Sequence, residues 1–286
     1  MNHRTAVAAS TVEVLHFEGE HPAPGIAAHD RGRAYGDGVF ETMRAHAGAV
    51  PWWDAHWARL VAGAQRLGMA VPSSEHAREQ ASALLAGRDA VLKLLLARGA
   101  GGRGYAPAGG GKPAWSLSVH PLPAPFPAAI TLRWCALRLA VQPALAGIKH
   151  CNRLEQVLAR AEWSDTSIHE GLVCDLSGRL VSATAANVFL LQGQRWRTPD
   201  VGASGVAGVC RGWAIARLEA SIEQIEPGEV EQADAVFVCN AVRGILPVAR
   251  LGAREWSMHP QVAALQRRLA GEHPGFAMPA QASEST

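Results

Sequence analysis

The stretch Gly147-Ile148-Lys149-His150-Cys151-Asn152-Arg153-Leu154-Glu155-Gln156 lies near the midpoint of the chain, and the rest of the sequence is best interpreted outward from it. Lys149 is the only lysine after residue 113, where arginine supplies the other permanent positive charges. Burial can lower the pKa of a lysine enough to release its amine for attack on a carbonyl, whereas a guanidinium stays charged. The stretch therefore indicates either a nucleophilic lysine or a surface lysine beside a helix start.

Length and charge limit the classes of protein that the chain can form. The 286 residues are 48% hydrophobic, which is enough for one large core or two smaller ones. The net charge is only +2, from 27 basic and 25 acidic residues scattered along the chain. No basic surface for nucleic acid or for a membrane is predicted.

Cysteine and histidine spacing argues against disulfides and metal sites. The five cysteines are widely spaced and contain no C-x-x-C pair, and the 12 histidines contain no H-x-x-x-H pair. We therefore expect no metal and a reducing compartment. Because no secretory segment and no run of 18 apolar residues is seen, we expect a cytoplasmic protein.

Periodicity and proline content predict two α+β domains. Residues 54–69 repeat at helical spacing with Asp54 as the expected N-cap, and Ser73 or Ser74 opens a second helix that ends near Leu85. Four prolines between positions 121 and 127 indicate a linker. The predicted organisation is a smaller α+β domain (1–120), a proline-rich linker (121–128), a larger α+β domain that carries Lys149 (129–275), and a disordered tail (276–286).

Three further motifs have the chemistry of anion sites. The glycines of ARGAGGRGYAP (97–107) leave backbone N–H groups exposed and bring Arg103 and Tyr105 to a loop mouth. GVAGVCRGW (205–213) is a glycine turn entering a helix, whose first N–H groups bind phosphate well. Arg59 lies on the first predicted helix, and its fork suits a phosphate, although a solvated surface arginine is the commoner case.

These motifs, together with HDRGRAYGDGVFETMR (29–44) and VFVCNAVRGILPV (236–248), occur in an order that resembles the fold-type IV pyridoxal-phosphate enzymes. Within that family, LAGIKHCNRLEQVLARAEW (145–163) and the 97–107 loop are most similar to the aminodeoxychorismate lyases. The resemblance implies a D-amino-acid-aminotransferase-like fold of two α+β domains with pyridoxal 5'-phosphate between them, usually in a homodimer. It implies conversion of 4-amino-4-deoxychorismate to 4-aminobenzoate and pyruvate, a step towards folate.

The resemblance also implies roles for individual residues. Lys149 would be the catalytic residue, which holds the cofactor as an internal aldimine and then moves the substrate proton. The implied cofactor-binding residues are Arg59, Lys149, Ser182, Val209, Cys210 and Ala241. The implied substrate-binding residues are Tyr35, Phe40, Arg103, Tyr105 and Asn240, with Tyr35 and Phe40 placed in the pocket of the same or of the partner subunit.

Two departures from the family's aminotransferases distinguish the candidate reactions. Leu154 stands where those enzymes usually carry a tyrosine, and Ser182 stands where most of the family has the glutamate that pairs with the pyridine nitrogen. A hydroxyl cannot stabilise a protonated ring nitrogen, so the electron sink that transamination needs is weaker. Elimination that creates an aromatic ring depends on that sink less. The alternatives are an amino-acid aminotransferase of the same fold and a catalytically silent relative that binds the cofactor.

Overall fold

The computed structural model describes residues 12–107 and 111–277, and these form two β-sheets with helices packed on them. The first sheet is antiparallel, with strand order β2-β1-β5-β4-β3. Its strands are β1 (Glu13–Glu18), β2 (His21–Ala23), β3 (Gly38–Ala45), β4 (Ala90–Ala97) and β5 (Ala114–His120). The helices of this part are α1 (Arg31–Tyr35), α2 (Trp53–Arg66) and α3 (Ser74–Leu85).

Alternation along β3, β4 and β5 gives this sheet one apolar and one more polar face. Met43, Leu94 and Leu117 lie in the core that α2 and α3 cover. The opposite face carries Phe40 and Lys93, which are only half-buried. That second face is available to line a site.

The second sheet is mixed, with strand order β11-β10-β9-β12-β13-β6-β7-β8 and β14 paired to β13. Its strands are β6 (Ile130–Leu139), β7 (Glu170–Asp175), β8 (Leu180–Ala183), β9 (Asn187–Gln192), β10 (Arg195–Pro199), β11 (Ser221–Glu223), β12 (Ala235–Asn240), β13 (Gly244–Leu251) and β14 (Arg254–Glu255). The helices are α4 (Leu154–Arg160), α5 (Val209–Leu218), α6 (Pro227–Glu231) and α7 (Pro260–Glu272), and a 3-10 turn follows (Pro274–Phe276).

The central strands β9 and β12 are buried on both faces, as their continuous apolar runs require. One face packs on a core that includes Val188 and Val238. On the other face, Phe189 and Phe237 stack at 4.7 Å between ring centroids, against α5 and α7.

Two local expectations from the sequence are wrong, and one is confirmed. The N-cap of α2 is Trp52 in a left-handed conformation, and Asp54 lies in the first turn, where a carboxylate also suits the helix dipole. The expected tail begins at 276, but Phe276 is buried in the core beside α7 because it closes a 3-10 turn; residues 278–286 lie outside the described part. Ser73 does cap α3, accepting from the N–H of His76 at 3.3 Å.

The proline-rich segment contains no helix or strand, and the two sheets are built from residues before and after it. It is held to the second sheet, since Arg243 donates to the carbonyl of Ala124 and lies 3.6 Å from the Phe126 ring centroid. The division into two domains at 121–128 stays a prediction. No helix among the described residues is long and apolar enough to cross a membrane.

Candidate active site

The lysine segment is held on one side by the loop that precedes α5. Gly147 has φ of +80°, a conformation that glycine adopts without strain. Its N–H donates to Gly205 O and its carbonyl accepts from Ala207 N–H, both at 3.0 Å. The bend at Gly147 thus joins the segment to the start of α5.

On its other side, the same segment pairs with β3 of the first sheet. The Phe40 N–H donates to Lys149 O at 2.9 Å, and the Cys151 N–H donates to Gly38 O at 2.9 Å. A Cβ at Gly38 would lie 2.5 Å from Leu96 O, so a larger residue there would collide with β4. Lys149 is therefore fixed between the two sheets by backbone bonds.

The Lys149 amine lies over an aromatic ring in cationic surroundings. Its Nζ is 4.4 Å from the Phe40 ring centroid, and Nζ of Lys93 lies 5.3 Å from the same ring. Burial, and then the charge of Arg59, lower the pKa of Lys149 to about 8, although the Glu41 carboxylate opposes them. A usable fraction of the amine is consequently unprotonated near neutral pH.

Arg59 is part of a buried ionic cluster and does not lie on an open helix face. Its Nε donates to Glu41 at 2.8 Å, a second nitrogen also binds that carboxylate, and a third donates to Ala207 O at 3.0 Å. His56 Nδ1 lies 2.6 Å from the same carboxylate. Burial alone would raise the pKa of Glu41, but Arg59 and His56 hold it below its usual value.

Because burial lowers the pKa of His56, the imidazole is neutral at pH 7 and its Nδ1–H donates to the ionised Glu41. The cluster carries one positive and one negative charge. It orients the Arg59 guanidinium towards residue 207, immediately before α5.

The N-terminus of α5 has the features of an anion cradle. Its N-cap is Gly208, so no side chain caps the first N–H groups, which belong to Val209 and Cys210. A Cβ at Gly208 would lie 2.1 Å from Oδ1 of Asn187. The Nδ2 group of the same asparagine donates to Val206 O at 2.9 Å. Only glycine fits this approach, and the helix dipole adds a favourable field for an anion.

The Cys210 side chain does not take part in that cradle. Its fully buried thiol contacts Cys239 on β12, and this contact together with burial raises its pKa well above the usual value. Cys210 therefore offers its backbone N–H, whereas its thiol faces the core between α5 and β12.

Ser182 lies on β8 opposite Val173, and its hydroxyl makes no hydrogen bond to another described residue. The turn after β8 is held by Glu170, which accepts from the N–H groups of Thr184 at 3.2 Å and Ala185 at 3.1 Å. Burial raises the pKa of Glu170 in spite of these bonds. The contact of Ser182 with a pyridine nitrogen stays a prediction.

Asn240 and Ala241 form the turn between β12 and β13. The Asn240 amide donates to Ala185 O at 3.2 Å and accepts from the N–H groups of Val242 and Arg243. Its side chain therefore shapes the turn, and a substrate contact would have to share these bonds. The carbonyl of Ala241 accepts from the N–H of Arg44 on β3 at 3.3 Å, which brings this turn against the first sheet.

Tyr35 and Tyr105 line a different cavity, of about 280 Å³. Their rings are 5.5 Å apart, and Arg31 holds the 97–107 loop by donating to the carbonyls of residues 104 and 105. His150 and Asn152 line this cavity, but Lys149 does not. Arg103 is exposed on the same loop.

The structure thus brings Lys149, Phe40 and Arg59 together near the start of α5, where Val209 and Cys210 lie. Of the predicted substrate residues, Tyr35 and Tyr105 line the separate cavity, and Arg103 is exposed on the loop of Tyr105. Within the described residues, three contributors had not been singled out from the sequence, and these are Glu41, Lys93 and Arg153. These three residues do not form a recognisable sequence motif. Only the alternation of side chains along β3 and β4 could have predicted that Lys93 lies on the same face as Phe40.

The donor set fits a phosphorylated aldehyde cofactor. An uncapped helix start beside a guanidinium suits the phosphate, and an amine of lowered pKa suits the aldehyde. In the part of the chain that is described, no group of three or more potential ligands could hold a metal ion.

Comparison with known proteins identifies the family of the chain. Residues 38–251 match the family model described as amino-transferase class IV. The chain is 34% identical over 260 residues to the aminodeoxychorismate lyase of Vibrio harveyi, covering 87% of this chain and 96% of that one.

Two solved structures extend the comparison to three dimensions. The 4-amino-4-deoxychorismate lyase of Pseudomonas aeruginosa superposes with a TM-score of 0.85 at 39% identity, covering 91% of this chain and 99% of the other. The branched-chain amino acid aminotransferase of Escherichia coli superposes at 0.79 with 18% identity, covering 94% and 97%, and shares the fold. The α+β fold predicted from the sequence is confirmed.

Proposed function

The chain belongs to the amino-transferase class IV family, and from that premise we propose that it is a pyridoxal-phosphate-dependent lyase that converts 4-amino-4-deoxychorismate into 4-aminobenzoate and pyruvate. The observation that carries the proposal is the Lys149 amine, whose pKa is lowered to about 8 beside the Arg59 cluster. Relatives at 34% and 39% identity that are named as this lyase support the choice of reaction.

Arg59 and the N–H groups of Val209 and Cys210 would hold the phosphate, with the Ala241 turn beside them and Lys149 binding the aldehyde carbon. Bound pyridoxal phosphate supplies a ring that accepts electrons from the substrate carbon carrying the amine. Arg59 keeps its orientation without the ligand, because Glu41 binds it on two nitrogens. The cradle is thus preorganised for an anion.

Lys149 would act as the base, because part of its amine is unprotonated near neutral pH. Its uncharged Nζ takes the proton from the ring carbon that bears the amine. The bond from the adjacent carbon to the enolpyruvyl oxygen then breaks, and the oxygen leaves with the electron pair. The protonated Nζ can return the proton to the leaving group, which becomes pyruvate, while the remaining ring becomes aromatic.

The substrate carries two carboxylates, and the face of the first sheet offers cations for them. Lys93 lies beside the same Phe40 ring as Lys149, so its ammonium can bind a carboxylate without leaving β4. Asn240 would serve from the opposite side through the turn between β12 and β13. Fixing both ends of the substrate would leave the carbon to be deprotonated at Lys149.

Arg103, Tyr35 and Tyr105 would serve the site of a second copy of the chain. Tyr105 is 85% exposed, and its cavity is separate from the Lys149 amine. Helix α4 begins two residues after Asn152, which lines that cavity, and exposes Leu154 (75%), Val157 and Leu158 on one face. An apolar helix face of this kind suits burial in a homodimer.

Ser182 favours the lyase over an aminotransferase. A hydroxyl does not keep the ring nitrogen protonated, so long-lived carbanion states are weakly stabilised. Elimination draws on bond cleavage and aromatisation instead.

The proposal is tested by incubating the purified protein with 4-amino-4-deoxychorismate and measuring 4-aminobenzoate and pyruvate. We expect equal amounts of both, and no turnover for Lys149→Ala. Borohydride reduction of the loaded protein should label the peptide that contains Lys149. Labelling of Lys93 or Lys112 instead, or amino-group transfer without 4-aminobenzoate, would contradict the proposal.

A further inference from the structure

The Arg153 side chain donates hydrogen bonds to the backbone on both sides of Lys149. Its Nε donates to His150 O at 2.8 Å, and a terminal nitrogen donates to Ile148 O at 3.4 Å. Arg153 is also the residue from which α4 starts, but its side chain makes no capping bond to that helix. Its polar contacts are thus directed to the lysine segment and not to α4.

The Arg153 charge is not neutralised by a carboxylate within ion-pair distance among the described residues. Glu155 lies two residues further along and its charge favours the protonated guanidinium, but its carboxylate accepts from the N–H of Ala140 at 2.7 Å. Burial lowers the pKa of the Arg153 guanidinium to about 10, so it is still charged at neutral pH. A desolvated cation without an ion-pair partner among the described residues is costly to keep, which calls for a reason at this position.

Charged groups on the elements packed around Lys149 change the pKa of its amine. Arg59 of α2, Lys93 of β4 and Arg153 oppose its protonation, and Glu41 of β3 favours it. Arg59 is bound by Glu41, whereas the two carbonyls are the hydrogen-bond partners of the Arg153 side chain within residues 12–107 and 111–277. The hydrogen bonds of Arg153 and its positive charge therefore both act on Lys149.

We propose that Arg153 is a positioning residue for Lys149, fixing the carbonyls at 148 and 150 so that the amine is aimed over Phe40, and holding a positive charge beside it. This proposal rests on the proposed function only in taking Lys149 as the nucleophile. A guanidinium suits the task because its planar fork reaches two carbonyls at once, whereas a lysine ammonium acts as a point donor.

The test compares Arg153→Lys, which keeps the charge but loses the fork, with Arg153→Gln, which loses the charge. Arg160→Gln is the matched control, because Arg160 is an exposed arginine on the same helix that contacts Trp163. The chain contains three lysines, at 93, 112 and 149, so 13C-methylation of the cofactor-free protein gives few signals to assign. Thermal unfolding establishes that each variant is folded.

Two measurements are made on each variant. The pKa of methylated Lys149, measured by NMR titration, should rise by roughly half a unit or more in Arg153→Gln, since removal of a nearby like charge favours the protonated amine. In Arg160→Gln it should stay near the wild-type value. The rate at which unmodified protein captures pyridoxal phosphate should fall about tenfold or more in Arg153→Lys, because the amine is aimed less well.

A folded Arg153→Lys that captures the cofactor at the wild-type rate would overturn the positioning role. An unchanged Lys149 titration in Arg153→Gln would overturn the role of the charge, and Arg153→Lys still decides on aim should the glutamine variant not fold. Wild-type protein that captures cofactor but yields no 4-aminobenzoate would contradict the proposed lyase and leave the Arg153 result standing. If wild-type protein captured no cofactor, the Lys149 titration would still decide whether the Arg153 charge acts on the Lys149 amine.

Discussion

Replacing Lys149 by methionine should stabilise the cofactor-free protein at neutral pH. The pKa of the lysine in the folded chain is lowered from 10.5 to about 8, first by burial and then by Arg59. Each unit is equivalent to about 1.4 kcal/mol, so the ionised lysine costs at most about 3 kcal/mol of folding free energy. Methionine has a similar length and carries no charge to desolvate.

The pH dependence of this gain has a definite sign. Below about pH 8 the lysine is protonated in the folded and unfolded states, so the full cost of burying the charge is present. Between about 8 and 10.5 the unfolded chain binds the proton and the folded chain does not, so wild-type stability rises with pH relative to the variant. The advantage of Lys149→Met should therefore decline across that window and vanish near its upper end.

Urea unfolding followed by tryptophan fluorescence measures this difference, since the chain has nine tryptophans. Lys112→Met is the control: Lys112 is exposed, and its replacement should change stability by no more than about 0.5 kcal/mol. Packing differences move the whole curve for Lys149→Met but do not depend on pH. A stability difference that is the same at pH 7 and pH 10 would refute the reasoning.

Three further predictions concern the cofactor, the reaction and the assembly. Arg59→Ala should release cofactor on dialysis and also lower stability by about 3 kcal/mol or more, because Glu41 is left buried without its main partner; the exposed Arg78→Ala should do neither, and retained cofactor would make Arg59 a purely structural residue. Ser182→Glu should raise the ratio of half-transamination with a simple amino acid to 4-aminobenzoate formation, compared at equal cofactor occupancy with the neutral Ser182→Gln; an equal ratio in both would remove the serine from the argument. Leu158→Glu should convert a dimer into monomers in sedimentation, and an unchanged mass would place the interface elsewhere.

Local periodicity was sufficient to predict the helix α2. Its helical repeat is a property of a short segment, so it can be recognised without knowledge of the fold. The start of α2 was misplaced at Asp54 because an acidic residue suits the first turn as well as the cap. The burial of Phe276 depends on α7 and the distant Trp52, which the local polarity of the tail does not indicate.

The environment of the candidate site could not be derived from local patterns, because its contacts join distant parts of the chain. The Arg59 motif predicted an exposed fork, but its partners Glu41 and Ala207 come from β3 and from the loop before α5. Likewise, the loop motif grouped Tyr105 with the catalytic lysine, although Tyr105 lines a cavity that Lys149 does not line. The proposed contribution of Tyr105 to a second copy rests on this separation.

The groups that surround Lys149 explain why a lysine, and not an arginine, suits this position. Near pH 8 the Arg153 guanidinium is still charged because its pKa is about 10, burial keeps His56 neutral, and Glu41 stays ionised. Lys149 does change its charge there, because its pKa is about 8. An arginine at 149 would remain protonated and could neither bind the aldehyde nor accept a proton. An amine that changes its charge near neutral pH, among groups such as Arg153, His56 and Glu41 that keep theirs, would allow Lys149 to serve in turn as nucleophile, base and acid in the proposed reaction.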